Sequence, residues 1–282
     1  MSWKIRVRHH TGYEYAGTVI ASYNEARISP LDTQSQFIIE HRVEVQPGAH
    51  VYRYRDYWGT RVHAFDVHTP HSRLDVIGHS VVETSGRPIA PEVAEISWEQ
   101  LGSPAVSDRF CEFLAPSRYA PNFDDAENIA LTLRFEPTPG QAVRVLGEWI
   151  RDHLRYERGY TNANTTADEV FGARAGVCQD FAHLALSVLR AAGIPARYAS
   201  GYLHPHEEAA LNEVVEGQSH AWIEVWLGDW LPIDPTSGAP VAERHLLVAR
   251  GRDYDDVPPL KGVFHGAPSE TLSVTVDLTR VA

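Results

Sequence analysis

The stretch GARAGVCQDFAHLALSVLRAAGIPARY, residues 172–198, determines the expected fold. A run of small residues leads into an apolar helix, predicted from about Cys178 to Ala192 and closed by Gly193 and Pro195. Cys178 therefore stands in the first helical turn, where unpaired backbone N–H groups and the helix dipole stabilise a thiolate. Because a free cysteine is more often a small buried packing residue, this position needs partners before it indicates a nucleophile.

Two candidate partners occur in GQSHAWIEVWLGDWLPIDPT, residues 217–236. The segment HAWIEVW predicts a strand with His220 at its start, a suitable place for a general base. A hairpin through the following Gly-Asp pair would bring Asp234 opposite His220, where a carboxylate can orient an imidazole. A surface histidine and an Asx-turn aspartate are the alternatives for each residue alone. Together with Cys178, however, the two residues predict a thiol triad.

The rest of the chain divides by its residue pattern. Residues 1–85 alternate and are rich in β-branched and aromatic residues, which predicts a small all-β domain of five or more antiparallel strands. Residues 86–95 change composition and are the predicted linker, and residues 96–282 are the predicted catalytic core. In that core, PTPGQAVRVLGEWIRDHL predicts a helix with Thr138 as N-cap and Pro139 in its first turn. The alternating tail TLSVTVDLTRV is expected to pair with a sheet edge.

Composition excludes several classes of partner. The 282-residue chain has a net charge of -12, which argues against nucleic acid or an anionic membrane surface as partner. No apolar run approaches the roughly 20 residues that span a bilayer, and the charged, alternating start lacks a signal-peptide core. We therefore expect a cytoplasmic protein. Two cysteines, Cys111 and Cys178, do not form a disulfide framework.

The blocks GVCQDFAHLALSVLRAAGIPARYASGY, SHAWIEVW and WLPIDPTSG strongly resemble the core of the transglutaminase-like superfamily. HHTGYEYAGTV, ARISPLDTQSQ and DYWGTRVHAFDV resemble the β-rich domain that precedes this core in a bacterial subfamily of cysteine peptidases. The resemblance implies an α+β fold, in which a papain-like core packs the nucleophile helix on an antiparallel sheet behind a small all-β domain. It further implies Cys178 as nucleophile, His220 as base and Asp234 as the orienting carboxylate.

The implied activity is cleavage of an amide, peptide or isopeptide bond in a peptide or protein substrate through a thioester. Acyl transfer to an amine is the alternative, and a non-catalytic peptide-binding module is the second. Gln179 stands where animal transglutaminases have tryptophan, which weakens the case for protein crosslinking. The Cys178 backbone N–H is expected in the oxyanion site, with Gln179 and Tyr156 as candidate second donors and Trp222 as a candidate substrate contact. No HExxH motif or paired CxxC set occurs, so we expect no metal or other cofactor.

Overall fold

The computed structural model describes residues 2–86 and 96–282, and its first element is β1 (Ser2–Ala26), a strand of 25 residues. The strands that follow are β2 (Gln36–Gln46), β3 (Val51–Arg55), β4 (Arg61–Val67) and β5 (His71–Ser85). The first half of β1 pairs with β5, which also pairs with β2, and the second half pairs with β4, which also pairs with β3. All of these pairs are antiparallel, which confirms the β-rich N-terminal region.

Three strands from later in the chain belong to this same sheet. The strands involved are β9 (Val214–Glu216), β13 (Leu260–Gly266) and β14 (Ser269–Arg280). Both β13 and β14 pair with β1, and β9 pairs with β14. The tail thus pairs with β1 on the side opposite β5, as expected for a strand that joins a sheet edge, and over its last residues it is covered in turn by β9. The division into domains stays a prediction, because residues 87–95 of the expected linker lie outside the described residues.

The second half of the chain contains the helices and a separate four-stranded sheet. The helices are α1 (Trp98–Leu101), α2 (Pro104–Arg109), α3 (Cys111–Leu114), α4 (Asp124–Leu133), α5 (Pro139–His153), α6 (Ala167–Ala173) and α7 (Cys178–Ala191). The sheet is antiparallel, in the order β11-β10-β8-β12, and its strands are β8 (Ala196–Leu203), β10 (Gln218–Trp226), β11 (Trp230–Ile233) and β12 (His245–Gly251). Two short strands, β6 (Arg155–Tyr156) and β7 (Ala175–Gly176), form a separate parallel pair. Within the described part of the chain, no helix is both long and apolar enough to cross a bilayer.

Local signals account for the two main helices. The Thr138 hydroxyl accepts the Gln141 N–H at the start of α5, and Pro139 occupies the first turn. Helix α7 is buried along almost its whole length and ends before Gly193, whose φ of 81° requires a residue without a side chain. Helix α7 packs on β8 and β10, which confirms the expected α+β class with the nucleophile helix on an antiparallel sheet.

The N-terminal region docks on β12 through backbone and amide hydrogen bonds. The Leu31 N–H donates to the Leu247 carbonyl at 2.9 Å, and the Gln36 side chain donates to the carbonyls of both residues. The Leu247 N–H donates in return to Gln36 Oε1. Leu31, Leu247 and Trp222 share one apolar cluster. These contacts tie the N-terminal sheet to the sheet that carries His220.

Candidate active site

Cys178 is the first residue of α7, and its position is set by the residues on either side. The Asp180 carboxylate turns back and accepts the Val177 N–H through Oδ2 at 2.7 Å. Gly176 leaves space for this carboxylate, because a Cβ at that position would lie 2.7 Å from Asp180 Oδ2. The sequence GVCQD thus holds a half-buried free thiol at the helix N-terminus, whereas the free thiol of Cys111 is exposed.

His220 and Asp234 meet across the hairpin of β10 and β11. Antiparallel pairing of Ile223 with Ile233 places the start of one strand beside the end of the other. His220 Nε2 lies 3.0 Å from Asp234 Oδ2. The hairpin expected from the Gly-Asp turn is present and brings these two predicted residues together.

The Asp234 carboxylate is fully buried and surrounded by donors. Its Oδ1 accepts the backbone N–H groups of Thr236 at 2.9 Å and Ser237 at 3.4 Å, and its Oδ2 accepts the Ser237 hydroxyl at 2.6 Å. Burial alone would raise the pKa of Asp234, but hydrogen bonds from His220 and Ser237, together with the nearby His245 ring, hold that pKa well below its usual range. The carboxylate is therefore anionic under ordinary conditions.

The electrostatic balance keeps His220 charged. Burial would lower the pKa of His220, but hydrogen bonds and charges from Asp234 and Cys178 raise it to about 9. Because Nε2 faces Asp234, Nδ1 is the ring nitrogen that remains for Cys178. At neutral pH the imidazole thus carries both protons, between a carboxylate on one side and the sulfur on the other.

Tyr156 lies near the nucleophile. Tyr156 pairs with Gly176 in the parallel β6–β7 ladder, and Gly176 lies two residues before Cys178. Burial, and next the proximity of the Cys178 sulfur, raise the pKa of Tyr156. Because this pKa lies above the ordinary value of a phenol, the hydroxyl is protonated at neutral pH and able to donate, and the residue is 46% exposed.

Gln179 and Trp222 have other contacts. The Gln179 side-chain amide donates to the Ala163 carbonyl at 3.3 Å, which engages it with the loop before α6. Trp222 is buried, with its ring stacked on that of His220 at a centroid distance of 6.1 Å. It lies beside the His220 ring and has almost no surface to offer a substrate.

Three contributors to the site were not predicted from sequence. Ser237 donates to Asp234, and its position three residues after the aspartate in DPTS is a detectable turn signal. Thr161 Oγ1 donates to Asp180 Oδ2 at 2.5 Å and ties the loop before α6 to the nucleophile helix. His245 Nε2 lies 3.7 Å from Asp234 Oδ2. His245 has no local signal, because it lies on β12, two strands away from β10.

Among the described residues, His220, Asp234 and His245 form a group whose ligand atoms lie within 4.8 Å of one another, close enough to hold a metal ion. The hydrogen bonds of His245 disfavour that use. The Ala242 N–H donates to His245 Nδ1 at 3.3 Å, so the neutral ring carries its proton on Nε2. A metal on Nε2 would require the proton on Nδ1, facing another donor. The arrangement instead fits a His245 ring whose Nε2–H is directed toward the Asp234 carboxylate.

Comparison with known proteins matches both halves of the chain. The family described as the transglutaminase-like superfamily matches residues 127–235, which contain Cys178, His220 and Asp234. The family described as the bacterial transglutaminase-like N-terminal region matches residues 5–83.

Individual relatives match over very different lengths. An uncharacterized protein of Mycobacterium leprae is 45% identical over 280 residues, covering 99% of this chain and 100% of that protein. A stretch of 80 residues, 27% of this chain, is 41% identical to 12% of a protein-glutamine gamma-glutamyltransferase of Pseudomonas aeruginosa. The crystal structure of a candidate cysteine protease from Cytophaga hutchinsonii superimposes with a TM-score of 0.77 at 22% identity, covering 99% of this chain and 98% of that one. This last likeness concerns the fold.

Proposed function

Since this chain belongs to the transglutaminase-like superfamily, we propose that it is a thiol hydrolase that cleaves an amide, peptide or isopeptide bond through a thioester on Cys178. The observation that carries the proposal is the 3.0 Å contact of His220 Nε2 with Asp234 Oδ2, with Cys178 at the N-terminus of α7. Asp234 and Cys178 overcome the effect of burial and raise the pKa of His220. A peptide or protein substrate and a cytoplasmic location are part of the same proposal.

In the acylation half, the Cys178 thiolate attacks the carbonyl carbon of the scissile amide. A sulfur–carbon bond forms, and the carbonyl electrons move onto oxygen. His220 then gives its Nδ1 proton to the leaving nitrogen, the carbon–nitrogen bond breaks, and the amine departs. Asp234 holds the imidazole in place and stabilises its charge before the transfer.

In the deacylation half, neutral His220 accepts a proton from water as the water oxygen attacks the thioester carbon. The carbon–sulfur bond then breaks, the product acid leaves, and the thiolate is restored beside the imidazolium. The oxyanion of each tetrahedral state faces the Cys178 backbone N–H, and the Tyr156 hydroxyl is our candidate for the second donor. Gln179 is the weaker candidate because its amide already donates to Ala163.

The test is the pH dependence of iodoacetamide alkylation of the native protein, read by peptide mass spectrometry. We expect Cys178 to react rapidly near neutral pH, well below the ordinary thiol pKa of about 8.5. The exposed Cys111 is the internal control for a thiol without a histidine partner. Equal rates at the two cysteines would contradict the proposed activation. Once a peptide substrate is found, Cys178→Ala must abolish its turnover.

Acyl transfer to an amine is the second candidate, because a stretch of the chain is 41% identical to part of a protein-glutamine gamma-glutamyltransferase. The acylation half would be unchanged, and an amine would replace water in the second half. Product analysis with and without a primary amine distinguishes the two reactions. A free acid as the main product in excess amine supports hydrolysis, whereas a new amide supports transfer. Binding of peptides at this site without turnover would instead support the non-catalytic peptide-binding module.

A further inference from the structure

A three-residue segment of the loop before α6 is anchored at both of its ends beside the entry to α7. The Glu157 N–H donates to the Gly176 carbonyl at 2.9 Å, two residues before Cys178. Thr161 Oγ1 donates to Asp180 Oδ2, the same oxygen that accepts the N–H of Val177, the residue before Cys178. The segment between these anchors, residues 158–160, spans at most about 10 Å even when fully extended. It must therefore run beside the N-terminus of α7, close to the thiol.

This 158–160 segment carries a cation without a carboxylate partner. Within the described residues Arg158 forms no salt bridge, because the neighbouring Glu157 pairs with Arg155 at 3.6 Å. The Arg158 guanidinium lies close enough to the Tyr156 hydroxyl to lower the pKa of Tyr156, against the upward effects of burial and the Cys178 sulfur. Arg158 is exposed, on a chain whose net charge is -12. The unpaired Arg158 guanidinium and the half-exposed Tyr156 phenol thus lie together near Cys178.

We propose that Arg158 recognises a carboxylate on the substrate, close to the scissile amide, and that the preferred acyl donor is therefore an acidic peptide or isopeptide. A guanidinium presents parallel N–H donors that match a carboxylate in a bidentate hydrogen-bonded pair. The Gly176 and Asp180 anchors keep the backbone of Arg158 beside the N-terminus of α7. The inference rests on the proposed function for its biological meaning, but its chemistry can be tested without a substrate.

The test compares two alkylating reagents of nearly the same size, iodoacetate and iodoacetamide. With each, a bond forms between the Cys178 sulfur and the reagent carbon, and iodide leaves. Only iodoacetate carries a carboxylate, so the ratio of the two rate constants measures anion recognition at the thiol. The positive charge of His220 raises this ratio equally in wild type and variants. We expect Arg158→Gln to lower the ratio about fivefold, chiefly by slowing iodoacetate.

Arg155→Gln is the matched control, because Arg155 is an exposed arginine of β6, three residues before Arg158, and its charge is already paired with Glu157. Its ratio should stay near that of wild type, and the effect of Arg158→Gln should shrink in 1 M salt. An unchanged ratio in Arg158→Gln, or an equal loss in both variants, would overturn the proposal. Measuring at pH 9.5 as well as pH 7 gives the ratio even for an unactivated thiol. Slow iodoacetamide alkylation at pH 7 in wild type would contradict the proposed function instead.

Discussion

The two sides of the candidate site are held in different ways. On one side, Asp234 is fully buried and accepts hydrogen bonds from His220, Thr236 and Ser237. On the other side, the loop before α6 is largely exposed, and two side-chain hydrogen bonds, from Thr161 to Asp180 and from Gln179 to Ala163, tie it to the nucleophile helix. The side of His220 and Asp234, here called the base side, is thus held by several hydrogen bonds. The side of the loop before α6, here called the loop side, is held to α7 by two side-chain hydrogen bonds.

This difference separates two tasks. A buried carboxylate with several donors keeps one orientation and one charge, which the acid–base chemistry of His220 requires. A loop held by few contacts can adjust to a bound molecule, and its exposed side chains are available for recognition. We therefore expect substitutions on the base side to affect reactivity itself, and substitutions in the loop to affect access and selectivity.

The largest effect is expected for Asp234→Asn. The amide removes the negative charge that raises the pKa of His220, so the imidazole loses its proton at neutral pH and no longer stabilises a thiolate. An ordinary thiol is only about 3% ionised at pH 7, so Cys178 alkylation should slow by about 30-fold. Turnover of an identified substrate should fall on the order of 10³-fold or more. Asp229→Asn, on the exposed turn of the same hairpin, is the control and should alkylate normally.

The second prediction concerns stability against pH. The pKa of His220 is raised from 6.5 to about 9 on folding, so its charge stabilises the folded state fully below pH 6.5. This contribution is lost as the pH rises through 9. Denaturant unfolding of wild type should therefore show a free energy of unfolding that declines by about 3 kcal/mol over this range. The decline should be much smaller in His220→Gln, and parallel curves for the two proteins would contradict the assignment.

A smaller effect is expected on the loop side for Thr161→Val. The substitution keeps the side-chain volume but removes the hydroxyl that donates to Asp180. The loop should then open more often, and trypsin cleavage after Arg158 in the native protein should accelerate by roughly fivefold, the equivalent of one hydrogen bond. Thr132→Val, on the exposed face of α4, makes the same chemical change elsewhere. Similar cleavage rates in the two variants would show that the bond to Asp180 does not hold the loop.

The contrast between the two sides also explains what could be predicted from sequence. The start of α7 and the β10–β11 hairpin are encoded locally, by a glycine-rich entry, a helical apolar pattern and a Gly-Asp turn. Cys178, His220 and Asp234 lie on these local elements, so their approach could be anticipated. The burial of Trp222, a candidate substrate contact, could not be anticipated in the same way. Alternation along a strand does not indicate which face another part of the chain will cover.

Other features depend on contacts between residues far apart in the chain. The pairing of β14 with β1 joins the two ends of the protein, and nothing in either strand specifies that partner. The docking of Gln36 on Leu247 joins the two halves in the same way. His245 reaches Asp234 only because β12 pairs with β8, which in turn pairs with β10. Such contacts become visible only in the folded sheet.

The smallest effect is expected at this histidine, and it tests whether the base side is fixed as firmly as its hydrogen bonds indicate. Burial lowers the pKa of His245, so the ring is neutral, and the Ala242 N–H at Nδ1 leaves the proton on Nε2, facing Asp234. His245→Leu fills the space without this donor and should slow Cys178 alkylation at pH 7 by about threefold, since Asp234 keeps its other hydrogen bonds. His245→Gln retains an N–H donor and should recover most of the rate. If both variants are equally slow, packing explains the loss; if neither is slow, the bonds from Thr236 and Ser237 suffice to orient the carboxylate.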